Sequence, residues 1–133
     1  MLHQTLADIF TTFKKLKVLV IGDVMLDAYI YGAVERISPE APVPILNMKS
    51  RDQRLGGAAN VALNIQSLGA IPILCSVIGE DVPGNEFLGL MASSGLRIDG
   101  IVRSTHRKTT QKNRVISGGH HLLRIDEEED HPL

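Results

Sequence analysis

The chain has 133 residues, a formal net charge of -1, 44% hydrophobic residues and one cysteine. Its length suits one domain with a packed core, and its balanced charge excludes the basic surface on which nucleic-acid binding depends. No apolar run reaches the roughly 18 residues of a membrane span, and the N-terminus lacks the pattern of a secretory signal. Cys75 alone cannot form an internal disulfide, which favours a cytoplasmic protein. Together with the charge balance and the short apolar runs, this leads us to expect no membrane or nucleic-acid partner.

Helical and extended patterns alternate along the chain and predict an α/β fold. The run 17–21 is short, apolar and β-branched, which is typical of a buried parallel strand. Three prolines in the segment 36–44 predict a loop of fixed shape, because proline fits neither a helix interior nor a central strand. In chain order, the predicted elements are a helix over 2–14, strands over 17–21, 28–34 and 45–48, a helix over 61–68, a strand over 71–78, a helix over 83–94, and strands over 101–103, 109–117 and 120–125.

This order predicts a mostly parallel sheet flanked by helices and joined by right-handed crossovers. The proline-rich segment and the last two strands do not fit the alternation, and the sequence 117–119 (SGG) between those strands indicates a hairpin. We expect these parts to form a small second sheet that covers one end of the first. The apolar stripe of the first helix is expected to pack on the elements that follow, and the acidic run 126–130 to be a solvated end.

Asp27 lies shortly after the strand 17–21, at the end of a predicted parallel strand. Open α/β sheets bind ligands at the carboxyl ends of their strands. An ionised carboxylate can accept hydrogen bonds from two neighbouring sugar hydroxyls, although a loop aspartate also commonly caps a turn. From the residues alone, both interpretations of Asp27 are open.

The sequence GGAAN at 56–60 precedes a predicted helix. Consecutive small residues allow a ligand to approach the backbone, and a helix start presents free N–H groups; the same sequence can also be a simple tight turn. Neither the dinucleotide fingerprint GxGxxG nor a Walker A loop occurs in the chain. The adjacent His120 and His121 would point to opposite faces of a strand, so no metal site is predicted.

The GGAAN sequence, followed by Gly69 and Gly79, resembles the N-terminal signature of the ribokinase/PfkB sugar kinases. Asp27, five residues after Gly22, is similar to the first substrate-binding turn of that family. Within the family, RISPEAPVP at 36–44 resembles the bacterial heptose-7-phosphate kinases of ADP-heptose and lipopolysaccharide biosynthesis. The sequence KTTQKNRV at 108–115, which covers most of the first strand of the predicted hairpin, does so too.

The resemblance implies a ribokinase-like α/β fold in which residues 1–133 are the N-terminal portion of the kinase domain. Segments 28–53 and 109–125 would form a β-sheet lid over the sugar, which in this family often serves as a dimer contact. The expected partners are therefore a phosphorylated sugar and a second copy of the chain, joined through the lid.

The resemblance also implies roles for individual residues. Asp27 would bind sugar hydroxyls, and Gly56, Gly57 and Asn60 would line the sugar pocket. Lys112 and Arg114 alternate on a predicted strand and so share one face, and we expect them to bind the 7-phosphate. Arg36 is a further candidate for the same role. The alternative is that these cations are only solvated charges of the lid.

The parent reaction would transfer the γ-phosphate of ATP, with Mg²⁺, to the anomeric hydroxyl of D-glycero-D-manno-heptose 7-phosphate. The Gly-Ala-Gly-Asp turn, which in this family carries the catalytic base and anion hole, does not occur in the sequence. We therefore expect no catalytic residue in this chain and no strong binding of ATP or Mg²⁺ by it. Two alternatives are another PfkB-family kinase and a non-catalytic sugar-binding or dimerisation module.

Overall fold

The structure is a computed structural model that describes residues 5–129. Leu2 of the predicted helical stripe and Asp130 of the acidic run lie outside the described residues. The described elements are α1 (Leu6–Phe13), β1 (Lys17–Ile21), β2 (Val24–Ile37), β3 (Pro44–Gly57), α2 (Ala58–Ser67), β4 (Ile71–Gly79), α3 (Val82–Ser93), β5 (Ile101–Ser104), β6 (Gln111–Ser117) and β7 (His120–Glu127).

The strands form two sheets, as the sequence predicts. The first has three parallel strands in the order β1-β4-β5, and the second has four strands in the order β3-β2-β6-β7. In the second sheet, which we call the lid sheet, β2 pairs antiparallel with β3 and parallel with β6. The β6–β7 connection is the predicted hairpin, and Gly118 and Gly119 both adopt the positive φ that a tight primed turn requires.

Strands β2 and β3 are each 14 residues long, which is much longer than the sequence predicts. They pair along their whole lengths, with two register shifts. The predicted loop shortens to 38–43, because its first two residues end β2 and Pro44 begins β3. The second half of β3 is rich in charged residues and therefore resembles a loop in the sequence, although it is a strand that pairs with β2.

The hydrophobic core lies between the parallel sheet and helices α2 and α3. Leu74 and Ile78 of β4 are 2% and 0% exposed, and Phe87 and Met91 of α3 are both 0% exposed. Full burial of side chains of this size contributes about 1.5–3 kcal/mol each. The start of β2 joins the same core through Val24, so the core supports both the parallel sheet and the base of the lid sheet.

The opposite face of the parallel sheet is uncovered in the described structure. Leu19 and Ile21 of β1 are 57% and 76% exposed, and Val102 of β5 is 59% exposed. Strand 17–21 is parallel, as predicted, but the prediction that it is buried is wrong. We call this surface the open face; its residues are Leu19, Ile21, Ile73, Cys75, Val77 and Val102.

The first helix is also uncovered along most of its apolar stripe. Leu6 and Phe10 are 75% and 50% exposed, and no residue of α1 is buried. The expectation that this stripe packs on the following elements is therefore wrong for Leu6 and Phe10. It holds in part for Phe13, which is half-buried and lines a hollow with Ile65 and Leu68. An amphipathic pattern indicates which side of a helix can be buried, but it carries no information about what covers that side.

Candidate functional site

The two sheets meet where β1 ends and β2 begins, at Gly22 and Asp23. The Gly22 N–H donates to the Cys75 carbonyl (3.3 Å), and the Gly22 carbonyl accepts a hydrogen bond from the Ser76 hydroxyl (2.7 Å). At the start of α2, the Ala58 N–H donates to the Asp23 carbonyl (2.9 Å). Strand β4 and helix α2 therefore hold this turn, which lies at the sheet edge where α/β proteins bind ligands.

Asp27 and Gly56 lie side by side in the paired strands β2 and β3. Gly56 is opposite Met25, and a Cβ atom at position 56 would lie 2.6 Å from Asp27 Oδ2 and 2.6 Å from Met25 Cγ. Glycine is therefore required at 56 if the Asp27 carboxylate is to keep its position. Gly57 has a φ of 61°, and a Cβ there would collide with the Asp23 carbonyl oxygen.

Asn60 lies in the first turn of α2, and its side chain is exposed. Gly57 is the N-cap of this helix and has no side chain to cap it. The first N–H groups of a helix have no partners within the helix. The Ala58 N–H is used by the Asp23 carbonyl, so the donors that α2 can present to a ligand beside Gly57 are the N–H groups that follow it. Asn60 therefore lies one helical turn from Gly57, whereas Asp27 lies on strand β2.

One face of the lid sheet carries most of its charged side chains. The strand register aligns Asp27 with Lys112 and Tyr29 with Arg114, so these residues project from the same side. We call this surface the charged face; its residues are Asp27, Tyr29, Asp52, Arg54, Lys112, Arg114, Arg124 and Asp126.

Lys112 and Arg114 both lie on this face, but their partners differ. Arg114 forms an ion pair with Asp27, and the two side chains are 20% and 18% exposed. The hydrogen bond to Asp27 is the main cause of the raised pKa of the Arg114 guanidinium. The Lys112 ammonium lies 3.1 Å from Glu128 and 3.4 Å from Asp126, and the hydrogen bond to Glu128 is the main cause of its raised pKa.

Tyr29 lies between two guanidinium groups of the charged face. The Arg54 Cζ atom is 4.7 Å from the centre of the Tyr29 ring, and the Arg114 Cζ atom is 5.2 Å from it. Both distances are within the range of cation–π contact. The Arg114 guanidinium is therefore held by two contacts, one with the Tyr29 ring and one with the Asp27 carboxylate.

Arg36, the further candidate for phosphate binding, is not brought to this site. It lies on β2 nine residues beyond Asp27, which at a rise of about 3.3 Å per residue is roughly 30 Å along the strand. Its neighbours are Glu35 and Leu46 at the far end of the lid sheet. The structure thus separates Arg36 from Lys112 and Arg114.

Arg107 is a polar residue of this region that sequence reasoning missed. Its side chain is 15% exposed, and its Nη2 atom lies 3.3 Å from Asp23 Oδ1. Asp23 itself is 80% exposed, so the carboxylate remains open to solvent at the sheet edge. The loop before β6 positions Arg107, and no pattern in the sequence indicates where this loop lies relative to Asp23.

A hydrogen-bonded group around Asp81 joins the parallel sheet to the lid sheet. In the sequence, Asp81 falls between the predicted strand 71–78 and the predicted helix 83–94, and no role was predicted for it. Asp81 Oδ1 accepts from the Gly84 N–H (2.8 Å) and the Thr109 hydroxyl (2.7 Å), and Oδ2 accepts from the Thr109 N–H (2.8 Å). Asp81 is the N-cap of α3. The signal that could have indicated this is an aspartate shortly before a proline at a helix start.

A shallow hollow of about 540 Å³ extends from Gly22 and Asp23 onto the open face, where Cys75 and Val102 line it. Cys75, in an apolar run of the sequence, is only half-buried here. Within residues 5–129, no group of three or more His, Cys, Asp or Glu side chains is placed to hold a metal ion. No helix in the same range is long and apolar enough to cross a membrane.

Comparison with protein families identifies the chain. The model of the pfkB family carbohydrate kinases matches residues 15–132. The chain belongs to this family. It is 46% identical to the bifunctional protein HldE of Caulobacter vibrioides, over 98% of this chain and 27% of that protein. It is 50% identical to the D-beta-D-heptose 7-phosphate kinase of Bordetella bronchiseptica, over 87% of this chain and 36% of that protein.

Solved structures of sugar kinases share the fold. A putative ribokinase from Agrobacterium tumefaciens has a TM-score of 0.65 at 19% identity, over 84% of this chain and 35% of that one. Fructokinase with bound ATP from Xylella fastidiosa has a TM-score of 0.58 at 24% identity, over 86% of this chain and 30% of that one. The predicted ribokinase-like fold and the predicted family are confirmed. The pfkB chain spans about a quarter to a third of the length of the relatives described here.

Proposed function

We propose that this chain forms the sugar-binding part of a kinase for D-glycero-D-manno-heptose 7-phosphate. The observation that carries the proposal is the half-buried group in which Gly56 leaves room for the Asp27 carboxylate and Arg114 contacts that carboxylate. A carboxylate suits sugar hydroxyls, and a guanidinium suits a phosphate. The identity of 50% to a protein named as a heptose 7-phosphate kinase supports the same substrate.

In this proposal, Asp27 accepts hydrogen bonds from hydroxyls of the heptose. Gly56 and Gly57 allow the sugar to lie close to the backbone, and Asn60 provides an amide at the start of α2 that can both donate and accept. Lys112 and Arg114 contribute positive charge toward the phosphate. Each role rests on the position of the residue on the charged face, at the end of β3 or in the first turn of α2.

The proposed reaction transfers the γ-phosphate of ATP to the anomeric hydroxyl of the heptose, in the cytoplasmic synthesis of ADP-heptose. The structure of a fructokinase with bound ATP supports the choice of nucleotide. Mg²⁺ would neutralise the phosphate oxygens during transfer. We propose no residue of this chain as a ligand of ATP or of Mg²⁺, and we expect neither to bind the chain strongly.

We also propose that the lid sheet mediates a homodimer. Leu123 and Ile125 of β7 are 56% and 47% exposed, and they lie on the side of the lid sheet opposite the charged face. Sedimentation velocity across a range of concentrations tests this, with Leu123→Asp expected to shift the chain toward monomer. Sedimentation of the unsubstituted chain as a monomer at all concentrations would contradict the proposal.

Binding of the substrate is tested by isothermal titration calorimetry with D-glycero-D-manno-heptose 7-phosphate. We expect Asp27→Asn to weaken binding by about tenfold or more, because a charge-assisted hydrogen bond contributes roughly 1.5–3 kcal/mol. Asp52→Asn is the matched control: it removes the same charge from the same face, but its partner is Arg54 at 2.7 Å. The proposal is wrong if the unsubstituted chain does not bind, or if both variants bind equally well.

A further inference from the structure

The two groups that the proposed function assigns to different parts of the substrate are paired with each other. Arg114 of β6 and Asp27 of β2 are 87 positions apart in the chain and form an ion pair across neighbouring parallel strands. Their side chains are only 20% and 18% exposed. Each charge therefore depends on the other more than it depends on water.

A ligand that engages one member of such a pair leaves the other member in poor solvation. Removing one partner of a buried or partly buried ion pair is strongly unfavourable, because the remaining charge has lost both its counter-ion and much of its water. A neutral sugar whose hydroxyls occupy the Asp27 oxygens would leave the Arg114 guanidinium beside Tyr29 without its direct ion-pair partner. The remaining carboxylate that acts on Arg114 is Asp126, which is already paired with Lys112 and Arg124. A sugar that carries a phosphate can replace both interactions, since phosphate accepts paired hydrogen bonds from a guanidinium.

Lys112, in contrast to Arg114, would not lose an ion-pair partner when a sugar binds at Asp27. Its ammonium contacts the carboxylates of Asp126 and Glu128, and neither of these residues belongs to the proposed sugar site. A sugar that binds at Asp27 therefore leaves both partners of Lys112 in place. Of the two cations that the sequence indicated for the phosphate, Lys112 and Arg114, only Arg114 has an ion-pair partner at the proposed sugar site. A bound sugar would therefore compete with Arg114 for Asp27.

We infer that the Asp27–Arg114 ion pair selects phosphorylated sugars over unphosphorylated ones by an exchange of partners. The hydroxyls of the sugar take Asp27, and its phosphate takes Arg114. This inference rests on the proposed function and deepens it, because it assigns selectivity for the phosphate to one ion pair. No bond is formed or broken in the exchange, and no additional reactant is needed.

The test compares D-glycero-D-manno-heptose 7-phosphate with the same heptose lacking the phosphate, by calorimetry on the full 133-residue chain. We expect Arg114→Gln to weaken binding of the phosphorylated sugar about tenfold, which corresponds to about 1.4 kcal/mol. Binding of the unphosphorylated heptose should stay the same or tighten, because Asp27 is no longer held by a cation. The ratio of the two affinities, rather than either one alone, is the quantity that decides.

Arg124→Gln is the matched control. Arg124 is the direct neighbour of Arg114 on β7 and lies on the same charged face, but its partner is Asp126 at 3.0 Å. It removes the same charge from the same surface, so a general electrostatic attraction would change with either variant. We expect the affinity ratio of the Arg124→Gln chain to stay within about threefold of the unsubstituted chain, since exposed charges are screened at physiological salt.

Arg114→Lys provides a second measurement, because it keeps the charge and loses the planar fork. If Arg114→Gln fails to fold, as judged by circular dichroism, the lysine variant should still show an intermediate loss of selectivity for the phosphate. Equal weakening of both sugars by the Arg114 variants would overturn the inference, and so would an equal loss of selectivity in Arg124→Gln. If the unsubstituted chain binds neither sugar, the proposed function fails as well; if it binds the phosphorylated heptose, only the inference is in question.

Discussion

The parallel sheet and the lid sheet both expose one face, but the two faces have opposite chemistry. On the open face, Leu19 and Ile21 are 57% and 76% exposed. On the charged face, Asp27 and Arg114 are less than a quarter exposed and are paired with each other. In α/β proteins both faces of a parallel sheet are normally covered. The open face is thus without a packing partner among residues 5–129, whereas the central charges of the charged face are already paired with each other.

The largest effect is expected from a truncation on the covered side of the parallel sheet. Leu74 is 2% exposed and belongs to the core, so Leu74→Ala should lower the free energy of unfolding by about 2–5 kcal/mol. Leu19→Ala, in the neighbouring strand and on the open face, should lower it by less than about 1 kcal/mol. Urea unfolding followed by circular dichroism measures both. Similar losses for the two variants would show that the open face is covered in solution and would remove the contrast drawn here.

The next effect concerns the room that the lid sheet keeps for Asp27. Gly56→Ala would place a Cβ 2.6 Å from Asp27 Oδ2, so it should destabilise the chain by about 1–3 kcal/mol and weaken binding of the heptose 7-phosphate. Gly89→Ala is the control, because no atom lies within 4 Å of its new Cβ in helix α3, and it should stabilise the chain by roughly 0.5–1 kcal/mol. A neutral effect of Gly56→Ala on both stability and binding would mean that Asp27 does not need its present position.

The order of the helices and strands could be predicted from the sequence, whereas the covering of the sheet faces and the pairing of side chains between strands could not. Local patterns determine the order of the elements, so the strand 17–21 and the hairpin at Gly118 and Gly119 were predicted correctly. The prediction that Leu19 is buried was wrong. The apolar sequence of strand 17–21 indicates that the strand can be buried, but it does not indicate which element would cover it. The pairing of Asp27 with Arg114 was not predicted. It depends on the parallel register of β2 and β6, and the local sequence around two residues 87 positions apart carries no information about this register.

A smaller effect is expected at Asp81, which links the two regions through Thr109. Burial opposes ionisation of this carboxyl, but the donors of Thr109 and Gly84 outweigh it, so the pKa of Asp81 lies below its ordinary value. Asp81→Asn should therefore cost about 1–2 kcal/mol of stability at neutral pH, the range for loss of a helix cap. A carboxyl with a lowered folded pKa stabilises fully above its unfolded pKa, and this stabilisation disappears as the pH falls through the folded pKa.

The deficit of Asp81→Asn relative to the unsubstituted chain should consequently be complete at pH 6 and should shrink below about pH 4, near the ordinary aspartate pKa. Urea unfolding at pH 6, 4 and 3 measures this. Asp99→Asn, whose carboxylate pairs with Arg97 at the surface, is the control and should change stability little at any of these values. A deficit at Asp81 that is independent of pH would indicate that the link between the two regions depends on shape rather than on charge.

The smallest effect is expected from Arg54, because it lies on the charged face but remains largely in water. Its side chain is 60% exposed and pairs with Asp52, which is 45% exposed, so this ion pair is screened far more than that of Arg114. Arg54→Gln should leave the urea midpoint nearly unchanged, and any small loss should vanish in 1 M salt, where the Debye length is about 3 Å. A clear loss that persists at high salt would mean that Arg54 is held by its contact with Tyr29. In that case side chains of the charged face would be held in place from the Asp27–Arg114 pair out to the edge strand β3, which carries Arg54.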